Sequence, residues 1–198
     1  MIDETDFSVV AFGETERKDF PLILVFGRES NGSNKVVPGI SIYDETVSSG
    51  SAFWNRSLKF VQRCSESSKH LRDESVQRKS GPVIFTNAFP HPILNSVQNK
   101  DSIRSSLGDQ TVSEHINNVF SLDIINRVRL VIFSTGPKEM FRYSRGVVHS
   151  LCKLKSIKFV EVPYFANPYV NNQELDESIK IEEKKAIKTI VDEYYEST

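Results

Sequence analysis

The sequence has little cysteine, and the two it has, Cys64 and Cys152, lie at no metal-ligand spacing. Both fall in helical patterns and are read as buried, unbridged thiols in a reducing compartment, so the expected location is cytoplasmic. Long apolar runs are also missing. The longest reach about five residues, against the roughly twenty that a membrane-spanning helix needs. The acidic start "MIDETDFSVV" has neither the basic region nor the apolar stretch of a secretory signal. No membrane partner is expected. An excess of one charge sign is lacking as well: 25 Lys and Arg stand against 26 Asp and Glu, for a net charge of −1. That argues against tight non-specific DNA binding, although phosphate contacts need only a local basic rim.

Several motifs are absent too. "GRESNGSN" (27–34) does not fit GxxxxGK[ST], and no GxGxxG follows an apolar run, so nucleotide-triphosphate and dinucleotide loops are disfavoured. Ser30, Ser33 and Ser134 sit in no nucleophile elbow, which leaves a hydrolase triad without support. His70, His91, His115 and His149 are scattered and form no metal-binding pattern. His91, between two prolines, is either an isolated surface histidine or a rim residue. No metal and no organic cofactor are expected.

What is present is a soluble globular composition, 38 % hydrophobic and 26 % charged over 198 residues, which fits one domain spanning 1–198. Four apolar runs recur: "LILVF" (22–26), "VIF" (83–85), "LVIF" (130–133) and "IKFVEV" (157–162). Continuous runs of β-branched residues and Phe predict strands covered on both faces. Helical patterns lie between and after them, at 51–64, 111–128, 137–154 and 177–195. Thr111 with Glu114 predicts a capping box for the second, and Pro137 suits the first turn of the third. Trp54 is read as core, and the charges of 177–195 as a solvated helix face. The polar stretch 65–80 is read as a surface connection. Strands alternating with helices predict an α/β three-layer sandwich, with a mainly four-stranded parallel sheet and helices on both faces.

Ligands of such sheets bind beyond the carboxyl ends of the strands. There the chain reads "FGRESNGSN", "FTNAFPHPILN", "FSTGPKEMF" and "VEVPYFANPYVNN". Three of these ends carry a polar group suited to reading or cleaving a heterocycle: Glu29, Asn87 and Asn167. A carboxylate can orient water or favour a cationic transition state. A carboxamide offers a donor and an acceptor to a base edge. Gly27 and Gly32 allow close backbone approach to a ligand. Each residue also has a plainer reading. Glu29 can pair with Arg28 or serve its own turn, Asn87 can bond local backbone, and Asn167 can shape its X-Pro turn.

The ordered set "GRESN", "FTNAFPHP", "STGP", "ANPYV" resembles the uracil-DNA glycosylase superfamily over roughly residues 20–172. The resemblance implies that family's fold and hydrolysis of the N-glycosidic bond of a deaminated or damaged base in DNA. Carried over by position, it implies Glu29 as the water-positioning residue and Asn87 as the base-recognising one. Asn167 and Pro168 fall in the leaving-base loop, and Tyr43 at the stacking aromatic. Gly27, Arg28, Ser30, Asn31 and Gly32 make up the motif loop, whose amides would face the departing base. Arg28, Lys35 and Arg142 are candidate DNA contacts. The implied partner is single- or double-stranded DNA or a nucleobase ligand, and the protein is expected to be a monomer. Two rivals stay open: a non-catalytic module of the same fold that binds a nucleobase, nucleotide or protein partner, and a small-molecule enzyme on the same sheet.

Overall fold

In chain order, a two-residue strand β1 (Val9–Val10) precedes β2 (Leu22–Gly27), every residue of which is buried. After β3 (Asn31–Gly32) come helix α1 (Ala52–Ser65), β4 (Val83–Asn87) and β5 (Ile93–Leu94). Helix α2 (Gly108–Ser121) leads through a 3₁₀ turn, Asp123–Arg127, into β6 (Val128–Phe133). A second 3₁₀ turn, Glu139–Phe141, opens α3 (Arg142–Leu154), which is followed by β7 (Lys158–Glu161). The chain continues through α4 (Asn172–Glu177) and α5 (Ile181–Glu196). This computed structural model describes residues 9–10, 20–28, 31–32, 52–68, 71, 81–89, 93–94 and 108–196.

The main sheet runs β1-β4-β2-β6-β7, with β4, β2, β6 and β7 mutually parallel and β1 antiparallel on the edge. The four parallel strands are the four apolar runs expected from the sequence. Period-two alternation divides their side chains between two cores. Ile23, Val25, Val83, Phe85, Leu130 and Ile132 pack with Leu58, Phe60 and Val61 of α1 and with Ile187, Ile190 and Val191 of α5. Leu22, Leu24, Phe26, Ile84, Val131 and Phe133 pack with Val112, Ile116 and Val119 of α2 and with Val148 and Cys152 of α3. Helices therefore cover both faces, as expected. Trp54 is half-buried against the first core. No helix among the described residues is long and apolar enough to cross a membrane.

The structure corrects several local expectations. Helix α2 starts at Gly108, where φ is +71°, so Thr111 lies inside the helix instead of capping it. The capping box sits elsewhere: Asn171 Oδ1 accepts from Glu174 N, and Glu174 Oε2 accepts from Asn171 N, at the start of α4. Pro137 precedes the 3₁₀ turn and lies outside α3. The expected helix 177–195 begins later, as α5 at Ile181, because Ser178–Lys180 are non-helical after α4 and Ile179 is buried in the core. The short β3–β5 pair carried no apolar run to announce it.

Cys64 and Cys152 are unbridged and buried. Burial pushes both thiols up to about 12, and for Cys64 the Asp176 carboxylate adds to the effect. An unfolded thiol ionises near pH 8.5, so between that pH and about 12 the unfolded chain holds fewer protons than the native one. Stability is then unaffected by the thiols below about pH 8 and falls as pH rises above it, by roughly 1.4 kcal/mol per pH unit per thiol. Urea midpoints from pH 7 to 10.5 should fall more steeply in the native protein than in the Cys64→Ala/Cys152→Ala double variant. Parallel curves would show that the thiols ionise alike in both states.

Candidate functional site

The strand order places the first parallel strand inside the sheet. The chain leaves β2 for β4 on one side, then crosses through α2 to β6 on the other. In open sheets of this kind, the carboxyl ends flanking such a reversal are the place where ligands bind. The backbone ladder continues past the strands there. Ala88 N donates to Gly27 O, Phe89 N to Arg28 O, Ser134 N to Phe26 O and Val162 N to Phe133 O. The four strand ends are thus held in fixed register.

On the α1 side of this rim, Gly27 lies beside Asn87 in the ladder. A Cβ on Gly27 would lie 3.1 Å from Phe53 Cζ and 3.2 Å from Asn87 Oδ1. Glycine suits this position, because any larger residue would press on both the Phe53 ring and the Asn87 carboxamide at the strand end. Asn87 is half-buried. Its own carbonyl oxygen lies 2.8 Å from His115 Nε2, and since a carbonyl only accepts, that nitrogen carries the proton. His115, buried on α2, thus pins the end of β4 from the opposite face.

On the β6 side stands Arg28, expected from the sequence as a motif-loop residue, a partner for Glu29 or a DNA contact. Its side chain turns inward and is half-buried. Nε donates to Thr135 O at 2.7 Å, and the guanidinium carbon lies 3.8 Å from the centre of the Tyr164 ring. The Phe141 ring is 5.3 Å away. Cation–π attraction at this range favours the guanidinium lying over the ring. Gly136, with φ +84°, makes room for it: a Cβ there would lie 3.1 Å from Arg28 Nη2. The adjacent Thr135 hydroxyl is buried and meets no hydrogen-bond partner among the described residues.

The last strand end carries the loop 162–171. Phe165 is fully buried, edge-on to Phe53 and tilted against Phe60. Asn167 Oδ1 accepts from Tyr169 N at 3.1 Å, so this oxygen shapes its own turn, the plainer of the two readings. Pro168 is exposed. Arg56 of α1 holds the loop from beneath, donating Nη1 to Asn167 O at 2.7 Å and Nη2 to Val170 O. Ser134 Oγ donates to Pro163 O and accepts from Phe165 N, tying the end of β6 to the same loop.

Not every expected site residue can be placed. Asn31 and Gly32 pair as β3 with β5, whereas Glu29, Ser30, Tyr43, Lys35 and His91 lie outside the described residues. Arg142 is exposed and pairs with Glu139 at 3.0 Å. Phe53, Tyr164, His115, Thr135 and Gly136 join the strand-end group without having been singled out. The Gly in "STGP" and the aromatic in "VPYF" were the available signals for two of them.

Open concavities occur elsewhere. One of about 660 Å³ lies between α2 and α3, lined by residues such as Asn117, Tyr143, Val147 and Leu151. It holds no set of polar groups fixed by buried partners, unlike the strand ends, which are therefore the better candidate. Among the described residues, no three His, Cys, Asp or Glu side chains gather as a metal site. Chemically, the strand ends offer a carboxamide, an aromatic face and a positioned guanidinium within one rim. No protein-family model matches the chain, and no curated protein matches its sequence.

Proposed function

We propose that this protein is a divergent uracil-DNA glycosylase-like enzyme, hydrolysing the N-glycosidic bond of a deaminated or damaged base in DNA. The observation that carries the reading is the Gly27–Asn87–Phe53 contact at the carboxyl end of the central strands. It sets a carboxamide beside an aromatic ring where a flipped base would enter. Asn87 reads the base edge through one donor and one acceptor. Glu29, two residues beyond β2, orients water toward the anomeric carbon and favours the oxocarbenium-like transition state. The amides of the Gly27–Gly32 loop meet the departing base anion. Tyr43 is the aromatic assigned by position to stack on the base. Water attacks the sugar carbon, the C–N bond breaks, and the electron pair leaves with the base, which takes up a proton.

A second reading, a nucleobase- or nucleotide-binding module without turnover, is supported by the last loop. Its Asn167 oxygen is engaged in a turn and its Phe165 is sealed in the core. Ser30 also stands where the family motif has proline.

The test is incubation with single- and double-stranded oligonucleotides carrying uracil, hypoxanthine or xanthine, then alkali to turn abasic sites into breaks. The native protein should produce breaks on at least one substrate. Asn87→Ala should lose about 10-fold or more in kcat/KM, the scale of a lost base-specific contact. Absence of breaks on every substrate, with the protein folded, would favour the binding module.

A further inference from the structure

Two of the four large apolar side chains that stand exposed among the described residues lie on one helix, α3: Tyr143 at 41 % and Leu154 at 80 %. About three helical turns separate them, so both point to the same side. Between them that side carries Gly146, Val147, Ser150 and Leu151, which line the open concavity between α2 and α3. A Cβ on Gly146 would meet nothing within 4 Å, so the middle of the row is open space. Val147 and Leu151 are only partly covered by the core beneath them. Single exposed apolar residues are ordinary, whereas a row of them beside a groove marks a docking surface.

The row is symmetric along the chain. Tyr143 and Leu154, Gly146 and Leu151, and Val147 and Ser150 are each equally spaced about the point between Val148 and His149. A second α3 laid antiparallel across that point therefore sets each of these residues opposite its counterpart. Every contact then occurs twice, as an isologous twofold interface demands. The sizes also match. Leu151 of one copy fills the opening at Gly146 of the other, Val147 meets the small Ser150, and a ring closes on a leucine at each end. Small residues at the crossing let the two helix axes approach closely.

Charge favours the same register. Glu114 of α2 borders the Tyr143 end, since both line one depression, and Glu139 stands there too, paired with Arg142. The other end of α3 carries exposed Lys153 and Lys155 beside Leu154. Antiparallel packing brings the lysines of one copy to the acidic end of the other and opposes the two helix dipoles. Parallel packing would set like charges together.

We propose that this face joins two copies of the chain through antiparallel α3–α3 contact, in place of the monomer expected from the sequence. The proposal is independent of the chemistry at the strand ends. Because α3 leaves the carboxyl end of β6, its first turn lies toward the rim of the candidate site. Antiparallel joining therefore sends the two rims to opposite ends of the dimer.

Sedimentation velocity between about 1 and 300 µM spans the affinities expected of an interface at the small end of the specific range. Over it the native chain should pass from one copy toward two. Gly146→Gln favours the helix and has room on its own chain, yet it fills the opening that Leu151 of the other copy needs. It and Leu154→Glu, both first shown folded by circular dichroism, should weaken association about 10-fold or more. Glu114→Lys and Lys155→Glu should each weaken it about 5-fold, since every pair occurs twice. The two changes combined in one chain should recover the native midpoint. A native chain that stays single at every concentration overturns the proposal and leaves the face to a partner of another kind. Association that Gly146→Gln and Leu154→Glu leave unchanged overturns it as well, by placing the contact elsewhere. A combined charge swap no better than either single change overturns the antiparallel register.

Discussion

Glu29→Gln is expected to lower the rate of abasic-site formation by about 10²–10⁴-fold, the range of a single positioned acid–base group, with oligonucleotide affinity nearly unchanged. Glutamine keeps the size of the side chain and its ability to hydrogen-bond, but it has no charge. What disappears is the electrostatic support of a cationic sugar and the pull on the water proton, both of which act mainly in the transition state. The loss should therefore appear in kcat and spare KM. Arg28, the residue before it, contacts Thr135 O and the Tyr164 ring through its side chain. Single-turnover excision assays with both proteins decide the matter. Equal rates would remove Glu29 from the chemistry.

Phe133→Ala should destabilise the protein by about 3–5 kcal/mol. The ring is fully buried at the end of β6, with its centre 5.8 Å from that of Phe26 and 6.0 Å from that of Phe159. Alanine there opens a cavity between two strands whose backbones are locked together and cannot collapse to fill it. The thermal midpoint should drop by roughly 10 °C, since each kcal/mol moves a chain of this length by about 2–4 °C. A change below about 1 kcal/mol in urea unfolding would mean that the α2–α3 core is looser than its burial indicates.

The four parallel strands were legible because each is sheathed on both faces and must be apolar throughout. "LILVF" and "LVIF" have no polar positions to hide. The two-residue strands were not, since pairing of Asn31–Gly32 with Ile93–Leu94 leaves no periodicity to detect. The break after Glu177 was also obscured, because Ile179 keeps the apolar spacing while its backbone leaves the helix. At the site, Gly27 and Asn87 could be read because small and polar residues directly follow apolar runs. The inward turn of Arg28 could not, because the carbonyl and ring that direct it come from residues 135 and 164. His115 was likewise invisible, since its partner, the Asn87 carbonyl, lies 28 positions away.

The central place of β2 has a consequence for how the chain matures. Its neighbours in the sheet, β4 and β6, are encoded well downstream of it. During synthesis from the N-terminus, "LILVF" emerges long before either pairing partner exists, with both strand edges open. Contacts across such separations close slowly, and an uncovered apolar strand is a template for other chains in the meantime. The interval between residues 27 and 128 is therefore the vulnerable period of biogenesis. A truncated chain ending before β6 should partition into aggregates or onto chaperones, whereas the full chain closes its sheet around that strand.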